Sequence, residues 1–141
     1  MIKTMRVNQH SWTIPGNADY VDESVLDLID KIKYLGFNEE EEYSIRLSLS
    51  EAIINGIQHG NSNDEKKTVL LELKCDDDKL TFSVTDQGKG FDFKNTSNPT
   101  DPNNLIKEHG RGIFLMKNYM DEMYYEAGGR RVVLVKYIKK D

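Results

Sequence analysis

Apolar positions change period several times along this chain, and each change marks an element. Between residues 6 and 14, Val7, Trp12 and Ile14 are the candidate core contacts of a first strand. Pro15-Gly16-Asn17 ends it. Val21, Val25, Leu28, Ile29, Ile32 and Leu35 then recur at three- and four-residue intervals, the spacing of a helix with one apolar stripe. Asn17 or Asp19 is its candidate N-cap. Gly36 stops it where a helix favours a residue free to turn left-handed. A second helix is expected from about Asn38 to Gly60, with Ile45, Leu49, Ala52, Ile53 and Ile57 as its buried stripe. Glu39 to Glu42 place negative charge in its first turn, which the helix dipole favours.

After a polar loop at 61–67 the period falls to two. Val69, Leu71, Leu73 and Cys75 alternate with polar residues, and Leu80, Phe82 and Val84 do the same. These are two strands, and Asp76-Asp77-Asp78 joins them as a hairpin. Residues 92–109 have no period, two prolines and mostly polar side chains. A loop of that length inside a small domain is more often a functional lid than a plain connection. A short helix at 112–121 and a last hairpin, 123–127 and 131–139 across Gly128-Gly129, complete the chain. The order β, α, α, β, β, loop, α, β, β predicts an α/β (α+β) two-layer sandwich. Its sheet is mixed and mostly antiparallel, with helices on one face. No repeat or linker divides the 141 residues, so a single domain over 1–141 is expected.

Composition narrows the classes of function. Charged residues make up 30% and the net charge is −5, which argues against a nucleic-acid partner, for which a basic face is the norm. The same balance offers nothing to an anionic membrane. No apolar run approaches the roughly 20 residues that span a bilayer. The first residues lack the apolar centre of a secretory signal. One cysteine, Cys75, excludes an internal disulfide and fits a reducing compartment. A cytoplasmic protein is expected.

Three segments carry candidate chemistry. Glu51, Asn55 and His59 follow one another at four-residue steps, so they line one side of the second helix beside its apolar stripe. Asp86-Gln87-Gly88-Lys89-Gly90 directly follows a strand, and its glycines allow a tight turn and close approach of a ligand. His109-Gly110-Arg111-Gly112 opens a helix, where backbone N–H groups and the helix dipole attract an anion and Arg111 adds a charge for phosphate. Taken singly, each has a plain alternative: a solvated helix face, an ordinary Asp-Gly turn, a loop-to-helix junction. Met116, Met120 and Met123 read as packing residues, His10 and His109 have no zinc-site spacing, and residues 76–78 read as a solvated turn.

The order of the three segments separates them from those alternatives. Glu-x3-Asn-x3-His on a helix, Asp-x-Gly-x-Gly after a strand, a polar lid and Gly-x-Gly before a helix form a joint pattern. With it the chain resembles the GHKL (histidine kinase-like ATPase) superfamily, and within it the anti-sigma factor serine-protein kinases. Glu51 to Gly60 carries that family's Glu-Ala-x-x-Asn-x-x-x-His-Gly, and the Gly-x-Gly-Ile-x-x-Met-x-x-x-Met-Asp-Glu run that starts at Gly110 matches as well. The resemblance covers essentially residues 15 to 138. Gly56 departs from it, standing where the family commonly has alanine.

The resemblance implies the Bergerat ATP-binding fold, ATP and Mg2+ as cofactors, and a role for each matching residue. Asn55 would ligate Mg2+, Glu51 would be the general base toward a serine or threonine hydroxyl, and Asp86 would accept a hydrogen bond from the adenine amino group. Gly88 and Gly90 would let the backbone pass the nucleotide. Gly110, Arg111 and Gly112 would hold the phosphates, and 92–109 would be the ATP lid. His59 is as well explained by packing or capping as by ligand contact. The implied activity is phosphorylation of an anti-anti-sigma partner, a STAS domain, by a homodimeric protein that also sequesters a sigma factor. A sequestering ATP-binding module with little kinase activity is the rival expectation. Glu51 favours the kinase, because a pure sequesterer has no need of a base.

Overall fold

Among the described residues five strands build the sheet: β1 (Asn8–Pro15), β2 (Thr68–Cys75), β3 (Lys79–Thr85), β4 (Glu122–Glu126) and β5 (Arg131–Tyr137). The structure, a computed structural model, describes residues 8–90 and 112–138. The strand order is β1-β2-β3-β5-β4. All four pairings are antiparallel, which narrows the expected mixed, mostly antiparallel sheet to an antiparallel one among the described residues. Register brings the period-2 positions into rows. Trp12 faces Leu71, Leu71 faces Val84, and Val84 faces Val132. A second row runs through Leu73, Phe82 and Leu134. Because alternate side chains point to opposite faces, these rows form one continuous apolar surface.

The helices cover that surface. They are α1 (Val21–Ile32), α2 (Glu39–Asn55) and α3 (Gly112–Tyr119). Helix α2 is central and packs against both α1 and α3. The α1 stripe predicted from spacing is buried at Val21, Val25, Leu28, Ile29 and Ile32, and α2 buries Ile45, Leu49, Ala52 and Ile53. Together with the inner face of the sheet they make one core, in which Phe82, Leu71 and Leu134 are fully enclosed. Met116 and Met120 are buried in it and Met123 packs against it, as expected of packing residues.

The ends of the helices follow local chemistry. Of the two candidate caps, Asn17 takes the role: its Oδ1 accepts the Asp19 N–H at 2.9 Å, and a single 3-10 turn, Ala18–Tyr20, leads into α1. Lys33–Leu35 forms another such turn, and Gly36 closes it with φ of 77°. Helix α2 starts with a capping box between Asn38 and Glu41, which satisfies two N–H groups reciprocally. Its other end differs from the expected continuous helix to Gly60. The α-helix ends at Asn55, and Gly56–Gly60 forms a π-helical turn. At 76–78 the Asp76 Oδ1 accepts the N–H groups of Asp78 and Lys79, so this turn is held by its first carboxylate. Those two bonds, with Asp78 first, keep the Asp76 carboxyl below its ordinary range.

Candidate functional site

The site forms where three backbones converge. The first is the π turn after α2, in which the Asn61 N–H donates to the Gly56 C=O five residues back at 2.8 Å. Such widened turns carry an extra residue and concentrate at functional sites. The second is the segment after β3, and the third is the β4–β5 connection. Three glycines let them meet. A Cβ on Gly60 would lie 2.1 Å from Asp86 Oδ2, and a Cβ on Gly88 would lie 1.8 Å from the Gly60 carbonyl oxygen. Gly90, with φ of 77°, passes so close to the β4–β5 turn that a Cβ there would sit 2.2 Å from the Gly128 oxygen.

Between these backbones lies a cavity of about 340 Å3. Helix α2 and its π turn supply Ala52, Asn55, Gly56, His59 and Gly60. The end of β3 supplies Val84, Asp86, Gly88 and Gly90. Met116 comes from α3, while Tyr125, Arg130 and Val132 form the wall on the side of β4 and β5. Apolar side chains and convergent polar groups share the wall in similar measure, a lining more polar than that of most small-molecule sites.

Two of those polar groups stand out by their bonding. The Asn55 side-chain Nδ2 is buried and has no hydrogen-bond partner among the described residues. Ser48 Oγ shares that condition but is not part of the cavity wall. A buried amide without a partner costs free energy, so its place in a cavity wall points to a ligand group that completes it. A half-turn of the carboxamide presents either a donor or an oxygen at that point.

Asp86 is held from two sides. Its N–H donates to the Arg130 C=O at 2.9 Å, and its Oδ1 accepts the Gly88 N–H at 2.8 Å. Burial raises the Asp86 carboxyl above its ordinary pKa, while the Gly88 hydrogen bond and the charges of Arg130 and Lys67 work against that rise. Among the described residues Lys67, Lys89 and Arg130 line the cavity against the one carboxylate of Asp86, a locally cationic lining in a chain of net charge −5. Burial also holds the Tyr125 hydroxyl far above its usual ionisation range, which keeps it neutral.

The expected site residues therefore divide. Asn55, Asp86, Gly88 and Gly90 come together around one cavity. Glu51 sits on α2 one turn before Asn55, half-buried, and does not belong to the cavity wall formed by the described residues. Gly112 is the first residue of α3. Gly110, Arg111 and the expected lid at 92–109 lie outside the described residues. Lys67, Tyr125 and Arg130 are additions that no motif signalled. Arg130 reaches the site because β3 pairs Thr85 with Arg131, which sets the preceding residue opposite Asp86. No helix among the described residues is long and apolar enough to cross a membrane.

Residues 14–136 match the family described as Histidine kinase-like ATPase domain. The chain is 29% identical over 136 residues to a Serine-protein kinase RsbW of Staphylococcus epidermidis, covering 91% of this chain and 86% of that protein. It is 28% identical to the protein of the same name in Staphylococcus aureus strain MSSA476 and 26% identical to that of strain JH9, over the same shares.

Proposed function

The chain belongs to the histidine kinase-like ATPase domain family, and from that premise we propose that it is an ATP-dependent serine/threonine protein kinase of the anti-sigma type. It sequesters a sigma factor, and it phosphorylates a small anti-anti-sigma partner with a STAS domain. It works in the cytoplasm as a homodimer. The observation that carries the nucleotide reading is the buried, unpartnered amide of Asn55 in a cavity that also holds the half-buried Asp86. The similarity to named serine-protein kinases supports the choice of activity.

Each residue has a task in this reading. Asp86 accepts a hydrogen bond from the exocyclic amine of adenine, where guanine offers a carbonyl. Gly88 and Gly90 keep the backbone clear of the nucleotide. Lys67, Lys89 and Arg130 favour a polyanionic ligand. Gly110, Arg111 and Gly112 hold the phosphates, under a lid at 92–109. Mg2+ takes few protein ligands and completes its shell with phosphates and water. The Asn55 carboxamide fits that habit, and the described residues contain no cluster of three His, Cys, Asp or Glu that would hold a metal by themselves. Asn55 would hold the ion, which would neutralise charge on the phosphates. Glu51 would take the proton of the acceptor hydroxyl as the phosphoryl group moves to it.

One observation favours the sequestering module instead. Glu51 stands outside the cavity wall of the described residues, as a purely structural helix residue would. Phosphotransfer decides between the two. The protein, ATP, Mg2+ and the partner recovered with it from its native cell should give phosphoserine or phosphothreonine on that partner. Glu51→Gln should retain ATP and lower transfer by roughly 10²-fold. Absence of transfer by the wild type would establish the sequestering module, and normal transfer by Glu51→Gln would remove the base from that position.

A further inference from the structure

We propose that Asn61 and Gln87 are positioning residues that hold the Asp86 carboxylate in fixed relation to Asn55, and so set how tightly the base of the nucleotide is bound. The proposal rests on the nucleotide reading above. Asn61 is 1% exposed, yet both ends of its side chain are engaged. Its Oδ1 accepts the Gln87 N–H at 2.7 Å, and its Nδ2 donates to the Thr68 C=O at 3.0 Å. Gln87 answers from the other side: its Oε1 accepts the Thr68 N–H at 2.8 Å. The last backbone register pair of β2 and β3 is Leu70 with Thr85. Beyond it, two side chains replace the ladder and bind both backbone groups of Thr68.

This clasp has a bearing on the cavity because of where its parts lie. The Asn61 N–H closes the π turn onto Gly56, the residue that follows Asn55. Gln87 is the residue that follows Asp86. One buried side chain therefore ties the end of α2 to the segment that carries the carboxylate. The Asp86 N–H is bonded on the opposite side to Arg130, just before β5, and the clasp supplies hydrogen bonds toward the α2 side. Gln87 itself is exposed and adds nothing to the core. Removing an exposed side chain is normally close to neutral for stability, so an effect on binding is separable from an effect on folding.

Calorimetric titration of ATP into four variants tests this. Gln87→Ala should weaken ATP by about 3–10-fold, the range of one lost hydrogen bond. Gln87→Glu keeps the acceptor oxygen and should stay within about threefold of wild type at about 0.3 M salt, where its added charge is screened. In an Asp86→Ala background the Gln87→Ala change should have no further effect, because the clasp acts through that carboxylate. Wild-type affinity in Gln87→Ala, or an equal loss in the Asp86→Ala background, would overturn the proposal. If the wild type binds no ATP, the nucleotide reading itself fails. The clasp is then judged without ligand by exchange of the Gly88 amide, whose N–H is bonded to Asp86. Exchange roughly tenfold faster in Gln87→Ala supports the clasp, and unchanged exchange overturns it.

Discussion

A methyl group on Gly60 would stand 2.1 Å from the Oδ2 of Asp86, so the π turn that follows α2 and the end of β3 meet as backbone against carboxylate. The Gly60 side of this contact is backbone, and the carboxylate that faces it is held at Oδ1 by the Gly88 N–H. Any atom added at Gly60 displaces the group proposed to read the base.

Gly60→Ala should therefore fold and fail to bind. We expect ATP affinity to fall at least about tenfold while the far-ultraviolet circular dichroism stays that of wild type. Gly88→Ala should act on stability as well, because its Cβ would meet the Gly60 backbone at 1.8 Å, with an expected cost of about 1–3 kcal/mol. Gly128→Ala is the control. Its φ is 67° but nothing lies within 4 Å of the added methyl, so only backbone strain of about 1 kcal/mol is expected. Denaturant unfolding with parallel ATP titration ranks the three. A Gly60→Ala variant that binds like wild type would refute the contact.

Asn55→Ala should abolish the magnesium dependence of ATP binding. In wild type, titration with and without Mg2+ should give different affinities. In the variant the two should coincide at the weaker value. The same change removes a buried amide that has no partner among the described residues, so the empty variant should not be destabilised as a core truncation would be. Equal dependence on Mg2+ in both proteins would take the metal away from Asn55.

Asp86 should trade stability for binding. Burial raises its carboxyl pKa in the folded protein above the ordinary 3.8. Between those two values the folded state holds more protons than the unfolded one. The contribution of this group is thus fully present below the ordinary value and is lost as pH rises through the folded one. Asp86→Asn removes the penalty. At pH 7 its empty form should melt above wild type. The gap should close once the pH falls below 3.8. Its ATP affinity should drop about tenfold at pH 7, the value of a charge-assisted hydrogen bond. Scanning calorimetry across this range checks the sign, and a gap that widens toward acid would contradict it.

The apolar periods were enough to locate the elements. The 3.6-residue stripe of α1 and the alternation in β2 and β3 are local properties, repeated often enough to be read without a partner. The caps are also local: Gly36 closes its turn where expected, while the Asn38–Glu41 capping box, set by residues three apart, was not among the expectations. The π turn was not legible. Residues 56–60 have no period of their own that differs from a helix, and the widening follows from the need to bring Gly60 against Asp86 and Gly88. Arg130 was equally hidden, since it follows two glycines in an unremarkable turn.

By itself the sequence determined the order of elements, the apolar face of each, and the short spacings within Glu51–Asn55–His59 and Asp86–Gly88–Gly90. All of these depend on neighbours within a few residues. Only the tertiary structure decided that Asn55 and Asp86 share one cavity, that Lys67, Tyr125 and Arg130 line it, and that Glu51 stands apart from the wall formed by the described residues. Those relations depend on β3–β5 register and on close backbone approach at glycines. They join residues up to about eighty positions apart, and no local preference of the chain encodes such a distance.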